Sequence, residues 1–289
     1  MKDIYAEVTN SIIAALEQGT PPWVCPWQER AEMPRNLVSG KPYRGINVLV
    51  LYGEVMQHHY EDNRWLTFKQ ASDIGARVRK GERGTSIVFY RIREADKTRA
   101  DGSDSEVEGA RRIPLLKTFT VFNVSQLESV PERYVERPIV EWQPVEAAER
   151  VIAQSGATIQ HGGNRAFYRP SDDLIQLPPL TSFAKPEDYY ATALHELCHW
   201  TAHPRRLNRP LTGRQQIEAY AYEELIAEIG AAFLCAHTGL SARLEHASYI
   251  SSWLDALRRD KRLIFVAAGA AQKATDFVLG FAAVDVEAA

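Results

Sequence analysis

Two histidines four residues apart bracket a glutamate in the run His195-Glu196-Leu197-Cys198-His199. On an α-helix, residues at that spacing differ by only about 40° in direction, so both imidazoles face one way and can share an ion. Glu196 projects beside them, placed to take a proton from a water that the ion acidifies. Zinc lowers the pKa of such a water toward ~7, which brings it within reach of a carboxylate base. The pattern points to metal-assisted attack of water on a carbonyl, with Glu196 as the catalytic base.

A catalytic zinc needs a third protein ligand and an open fourth position. His203 follows on the same helix, but eight residues put it ~12 Å from His195, too far to share the ion. The run Glu223-Glu224-Leu225-Ile226-Ala227-Glu228 offers two carboxylates four apart, with Leu225, Ile229 and Phe233 on an apolar face. Glu224 is read as the third ligand and Glu228 as the carboxylate that orients a ligand histidine. The reverse assignment, with Glu228 as ligand, stays open, and Glu223 fits a solvated acidic face. Two imidazoles and a carboxylate suit Zn2+ and would also accept Mn2+ or Co2+. Cys198 lies between metal-binding positions with no histidine left to activate it, so it reads as a buried, inert thiol; Cys235 reads as core.

The motif needs a helix to carry it. Pro186 can open one that runs over 186–203 with Ala191, Leu194, Leu197 and Trp200 on its apolar side, and Pro204 stops it. A second helix over 219–238 ends at Gly239 and carries the glutamates. Short strands over 166–168 and 174–177 flank a turn at Pro170-Ser171-Asp172-Asp173, and a helix over 145–154 precedes them. One long helical region is expected over 242–277.

The first half of the chain is organised differently. Ile4, Val8, Ile12 and Leu16 recur at helical spacing, and Gly19 with Pro21-Pro22 ends that helix. Trp23 and Trp27 lie in the loop beyond, around Cys25. A helix over 47–59, a strand over 65–68, a brief helix over 69–74 and strands over 85–92 and 115–124 follow. Residues 94–112 read as a loop without a sizeable apolar cluster.

Net charge is −3, yet between Arg64 and Arg93 eight basic residues face only Asp73 and Glu82. Basic groups that track phosphates, interleaved with rings on which bases stack, are what single-strand binding requires. The basic candidates are Arg44, Arg64, Lys69, Arg79, Lys80, Arg83 and Arg91; the stacking candidates are Trp23, Tyr43, Trp65 and Phe68. On physics alone, a solvated surface over an aromatic core explains the strip equally well. Gly81 and Gly84 do not form a phosphate loop, because no GxxxxGK[ST] pattern occurs.

At 289 residues, 45% hydrophobic and 25% charged, the chain has the balance of a globular protein with two domains of ordinary size. The fold class expected is α+β. A mixed N-terminal domain spans 1–130, a proline-bearing linker 131–144, and a mainly helical C-terminal domain with a small sheet 145–289. Apolar runs fall short of the ~18–20 residues of a membrane span. The start Met1-Lys2-Asp3-Ile4-Tyr5 lacks a signal peptide's apolar stretch, and three cysteines without CxxC spacing suggest no disulfide framework. A cytoplasmic location without a membrane partner is expected.

With these residues in view, the chain resembles the ArdC-type antirestriction proteins of conjugative plasmids over nearly its whole length. The N-terminal matches are Asp3-Ile4-Tyr5, Gly19-Thr20-Pro21-Pro22-Trp23, Tyr43-Arg44-Gly45-Ile46-Asn47, Val78-Arg79-Lys80-Gly81-Glu82-Arg83-Gly84 and Phe122-Asn123-Val124. The C-terminal ones are the HExxH run through Trp200, Arg206-Leu207-Asn208-Arg209 and Tyr222-Glu223-Glu224-Leu225-Ile226-Ala227-Glu228. The resemblance implies a single-stranded-DNA-binding N-terminal domain akin to that of TraC-type plasmid primases. It also implies a zincin-like metallopeptidase domain related to Spartan-type proteases that digest DNA-crosslinked proteins, and protection of incoming plasmid DNA from host restriction. Two readings compete: a DNA-directed protease that cuts a DNA-bound or restriction protein, and a non-catalytic coat on single strands whose metal is structural. A third, a peptidase whose basic strip binds an acidic protein, predicts no salt-dependent affinity for oligonucleotides.

Overall fold

The computed structural model describes residues 3–23, 32–94, 112–135, 144–211, 217–241 and 247–280. The Cys25 and Trp27 positions, most of the 94–112 loop and part of the 131–144 linker lie outside the described residues. Among the described residues no helix is long and apolar enough to cross a membrane.

The N-terminal unit runs α1 (Ile4–Glu17), β1 (Arg35–Asn36), α2 (Ile46–His58), β2 (Arg64–Thr67), α3 (Phe68–Asp73), β3 (Arg77–Val78), β4 (Thr85–Glu94), β5 (Arg112–Asn123), β6 (Leu127–Glu128) and α4 (Glu132–Val135). Its main sheet has the order β1-β2-β5-β4, parallel between β1 and β2 and antiparallel elsewhere. Alternation along the strands divides their side chains between two faces. Trp65, Ile87 and Val121 meet Leu51 and Val55 of α2 on one face. Leu66 meets Ala71, Ala76 and Leu127 on the other. At edge strand β4, Asn47 both donates to the Val88 carbonyl and accepts from the Val88 N–H at 2.8 Å, imitating a neighbouring strand. A capping box between Thr67 and Gln70 starts α3 directly at the end of β2.

The C-terminal unit runs α5 (Pro144–Ser155), β7 (Thr158–His161), β8 (Phe167–Arg169), β9 (Leu174–Leu177), α6 (Pro186–Trp200), α7 (Ile217–Thr238), α8 (Ala247–Arg259) and α9 (Leu263–Val278). Its small sheet has the order β7-β9-β8, with β7 parallel and β8 antiparallel to β9. α6 lies between this sheet and α7, and its apolar residues join Ile175, Leu177, Ala227 and Leu234 in one core. The fold is thus α+β in two units, as the sequence implies.

One expectation needs correction here. The helical region over 242–277 is two helices, because the Asp260 side chain accepts the Arg262 N–H at 2.8 Å and turns the chain at Asp260-Lys261-Arg262. The two units share a core. Ile4, Val8, Ile12 and Leu16 of α1 and Val48 and Leu49 of α2 share one cluster with Leu225, Ile226, Ile229 and Phe233 of α7 and with Trp253, Leu257, Ile264 and Ala268 of α8 and α9. Polar contacts close the same seam. Thr9 donates to the Lys261 carbonyl at 2.6 Å, Gly45 N–H donates to Gln272 at 2.9 Å, and Arg44 pairs with Asp276.

Candidate metal centre and nucleic-acid face

α6 presents His195 and His199 from its buried side, and α7 brings Glu224 against them. Nε2 of His195 lies 3.2 Å from Nε2 of His199; the Glu224 carboxylate lies 3.7 Å from the first and 3.5 Å from the second. One ligand atom from each of the three residues falls within 4.8 Å of the others. A tetrahedral zinc with bonds near 2.05 Å has ligand–ligand edges of about 3.3 Å. The trio is therefore close to the spacing that a divalent cation needs. Glu228, one turn further along α7, is buried, but it is not part of the trio.

Glu223 is where the sequence misleads. It is buried rather than solvated, and it faces Nδ1 of His199 at 3.4 Å while Arg209 grips both its oxygens at 2.7 and 3.1 Å. Arg209 lies 14 residues away in sequence, so nothing local to Glu223 announces its counter-charge.

The electrostatics follow from packing three carboxylates, Glu196, Glu223 and Glu224, beside two rings. Burial raises the Glu196 carboxyl to about 7; Glu224 adds to the rise, while His199 and the backbone N–H of Tyr168 on β8 oppose it. Burial would lower the His199 imidazole, but the hydrogen bond to Glu223 and the charges of Glu196 and Glu224 outweigh it and raise it to about 9. For Glu224, burial acts upward, and the His195 bond with the two imidazole charges brings the carboxyl down to about 2. Burial pushes the Cys198 thiol well above its ordinary range and Cys235 to about 12, so neither is a nucleophile at neutral pH.

The structure sorts the nucleic-acid candidates sharply. Stacking needs an exposed ring, and Trp65, Tyr43 and Trp23 are buried: Trp65 fills the sheet core at 0% exposure, and Trp23 packs edge-on against Trp253. These three are core residues, not base platforms. Phe68, by contrast, is 64% exposed and sits edge-on to Phe122 at 6.4 Å. Gly84 makes room for that pair, since a Cβ there would lie 2.9 Å from the Phe122 ring and 2.4 Å from Thr120. Among the basic candidates, Arg44 is committed to Asp276 and Arg64 to a two-pronged pair with Asp62. Lys69, Arg79, Lys80 and Arg83 are exposed, Arg79 paired with Glu82 at 2.9 Å. Arg91 lies on β4, with its side chain outside the described residues. Lys117 and Phe119 of β5 are also exposed, although strand alternation puts them on the face of buried Val121.

Comparison with known proteins matches each half of the chain to a known family. Residues 2–122 match the N-terminal domain of anti-restriction factor ArdC, and residues 146–270 match the zincin-like metallopeptidase family. The uncharacterized protein y4eC of Sinorhizobium fredii (strain NBRC 101917 / NGR234) is 41% identical over 283 residues, covering 96% of this chain and 91% of that protein. A DNA primase TraC of Escherichia coli is 41% identical over 295 residues, covering 97% of this chain but 27% of the primase, so the chain spans about a quarter of that relative. The metal-free crystal structure of the antirestriction protein ArdC from plasmid R388 aligns with a TM-score of 0.80 at 40% identity, over 97% of this chain and 98% of that one. Its Mn(II)-bound form aligns with a TM-score of 0.79 at 40% identity, over 98% and 99%. With sequence and fold shared with R388 ArdC over nearly its whole length, the chain belongs to the ArdC family of antirestriction proteins.

Proposed function

We propose that this protein is a zinc-dependent peptidase that reaches single-stranded DNA through its N-terminal unit and protects entering plasmid DNA from restriction. The observation that carries the reading is the convergence of His195, His199 and Glu224 on one point with Glu196 beside them. A bound divalent cation supplies a Lewis acid for a peptide carbonyl and acidifies a water. Zinc suits two imidazoles and a carboxylate, and the Mn(II) form of the R388 relative supports a site open to other divalent ions.

The chain's own residues provide the rest. Glu196, raised to about 7 in the metal-free protein, is placed to accept a proton from water and return it to the leaving amine. The Tyr168 N–H holds its carboxyl at the edge of the small sheet. On the N-terminal unit, Phe68 against Phe122 is the surface for a base, with Lys69, Lys80 and Arg83 to follow phosphates. The substrate is then a protein met on the DNA, cytoplasmic in setting.

The test pairs metal content with the Glu196→Gln variant. The wild type should carry about one equivalent of metal and His195→Ala should lose it. Glu196→Gln should keep metal and oligonucleotide binding, lose cleavage of proteins bound to single strands, and lose plasmid protection. Undiminished protection by Glu196→Gln would overturn the peptidase account in favour of simple coating.

A further inference from the structure

We infer that Arg209 is a positioning residue for metal capture, acting through Glu223 to fix which nitrogen of His199 faces the ion. The inference rests on the metal reading above. It gives a role to the Arg206-Leu207-Asn208-Arg209 segment, which neither the ligand set nor the base explains.

Beyond α6 the chain folds back on itself. Leu207 N–H donates to the Thr201 carbonyl and Arg209 N–H to that of Ala202, both at 3.0 Å, with Asn208 at a φ of +48°. This return aims the Arg209 guanidinium at the end of α6. Nη2 donates to the Cys198 carbonyl and Nη1 to the Thr201 hydroxyl, each at 2.8 Å. The Nε and Nη2 edge grips both oxygens of Glu223. One side chain thereby ties the last turn of α6 to the first half of α7, and the two side chains are 11% and 6% exposed.

The consequence falls on His199. Glu223 is held with an oxygen toward Nδ1, so that nitrogen carries the hydrogen. In the neutral ring that binds metal, Nε2 then offers its lone pair toward His195 and Glu224, where the ion belongs. Without the grip, Glu223 is free to turn and the ring loses its preferred tautomer and orientation. Lysine cannot replace arginine, because four directed contacts need a planar fork rather than a point charge.

Arg206 provides a matched control in the same segment. Its side chain is 9% exposed and pairs with Asp173, and its guanidinium stacks 3.8 Å from the Trp200 ring, touching neither histidine.

The experiment titrates Co2+ into the metal-free full chain, reading its visible absorption, and measures Zn2+ affinity by competition with a chromophoric chelator. Arg209→Ala, Arg209→Lys and Glu223→Gln should each bind Zn2+ roughly 10- to 100-fold more weakly. The double variant Arg209→Ala/Glu223→Gln, which leaves no buried charge unpaired, should bind no more weakly than the worse single variant. Arg206→Ala should stay within about twofold of wild type while losing comparable thermal stability. Wild-type affinity in Arg209→Ala or in the folded double variant overturns the inference, as does multiplicative loss in the double. An equal loss in Arg206→Ala also overturns it, by showing generic loosening. A wild type that binds neither ion removes the metal reading itself.

Discussion

Truncating one buried residue of α1 should loosen the metal site at the other end of the sequence. Ile12 is 2% exposed in the core that α1 and α2 share with α7, α8 and α9. Cutting Ile12 to alanine there costs about 3 kcal/mol, within the ~2–5 kcal/mol range for such truncations. If the two family regions were independent domains, only the N-terminal one would feel it. With a common core the loss is shared, because α7 cannot hold Glu224 in place once its apolar face is exposed. At ~1.4 kcal/mol per factor of ten, 3 kcal/mol is a ~150-fold rise in the open population. Hydrogen exchange read by mass spectrometry should then speed up about 150-fold in the most protected amides of both β5 and α6 of Ile12→Ala. Acceleration in β5 with unchanged protection in α6 would refute the shared core.

Other expectations follow from exposure and charge. Phe68→Ala removes an exposed ring and should change stability by less than about 0.5 kcal/mol. It should nonetheless weaken single-stranded oligonucleotide binding by roughly 5- to 100-fold without changing the salt slope, as fluorescence anisotropy at several salt concentrations would report. Trp65→Ala, at 0% exposure, should instead cost about 3–5 kcal/mol, and a folded, stable variant impaired only in binding would contradict the core assignment. The bonds from Arg206 depress Asp173 to about 2, so its stabilising charge is present above the unfolded value near 4 and is lost as pH falls toward 2. Asp173 is 37% exposed, so screening reduces the contribution to about 1 kcal/mol. The stability gap between wild type and Asp173→Asn, read by urea unfolding, should shrink by about two thirds of that from pH 5 to pH 2.5 and should be much smaller in an Arg206→Ala background.

What the sequence revealed depended on whether the signal was local. Ile4, Val8, Ile12 and Leu16 predict α1 because helical spacing is set within four residues, and all four are buried. The HExxH run is legible for the same reason. Aromatic residues in and beside strands are not, since a tryptophan beside an arginine suits either a base platform or a core under a charged rim. Trp65 and Phe68, three residues apart, fall on opposite sides of that choice, and only the packing of α2 decides it. Glu223 fails similarly: a buried carboxylate is credible only with a counter-charge, and Arg209 reaches it through a reversal of chain direction that spacing does not encode. Strands β1, β3 and β6, two residues each, exist only as partners of other segments.

The separation of α6 and α7 sets whether three ligands can meet, and it hangs on one missing methyl group. A Cβ on Gly230 would lie 2.7 Å from the Cys198 sulfur, with the Ala271 carbonyl 3.7 Å away on the other side. Glycine in a helix interior is otherwise about 1 kcal/mol worse than alanine, so propensity alone would favour Gly230→Ala. Overpacking a closed core costs about 1–3 kcal/mol, and Cys198 is fully buried with no room to yield. The clash should therefore win: Gly230→Ala pushes the helices apart and, six residues away, draws Glu224 back from the histidines. Replacing the thiol restores the space, because the next contact, to the Cys198 Cβ, is an ordinary 3.6 Å. Zn2+ affinity should fall in Gly230→Ala and recover in Gly230→Ala/Cys198→Ala, with the two substitutions strongly non-additive. If the single variant binds Zn2+ as wild type does, helix spacing is not what assembles the site; if the double variant stays weak, the sulfur is not what sets the spacing.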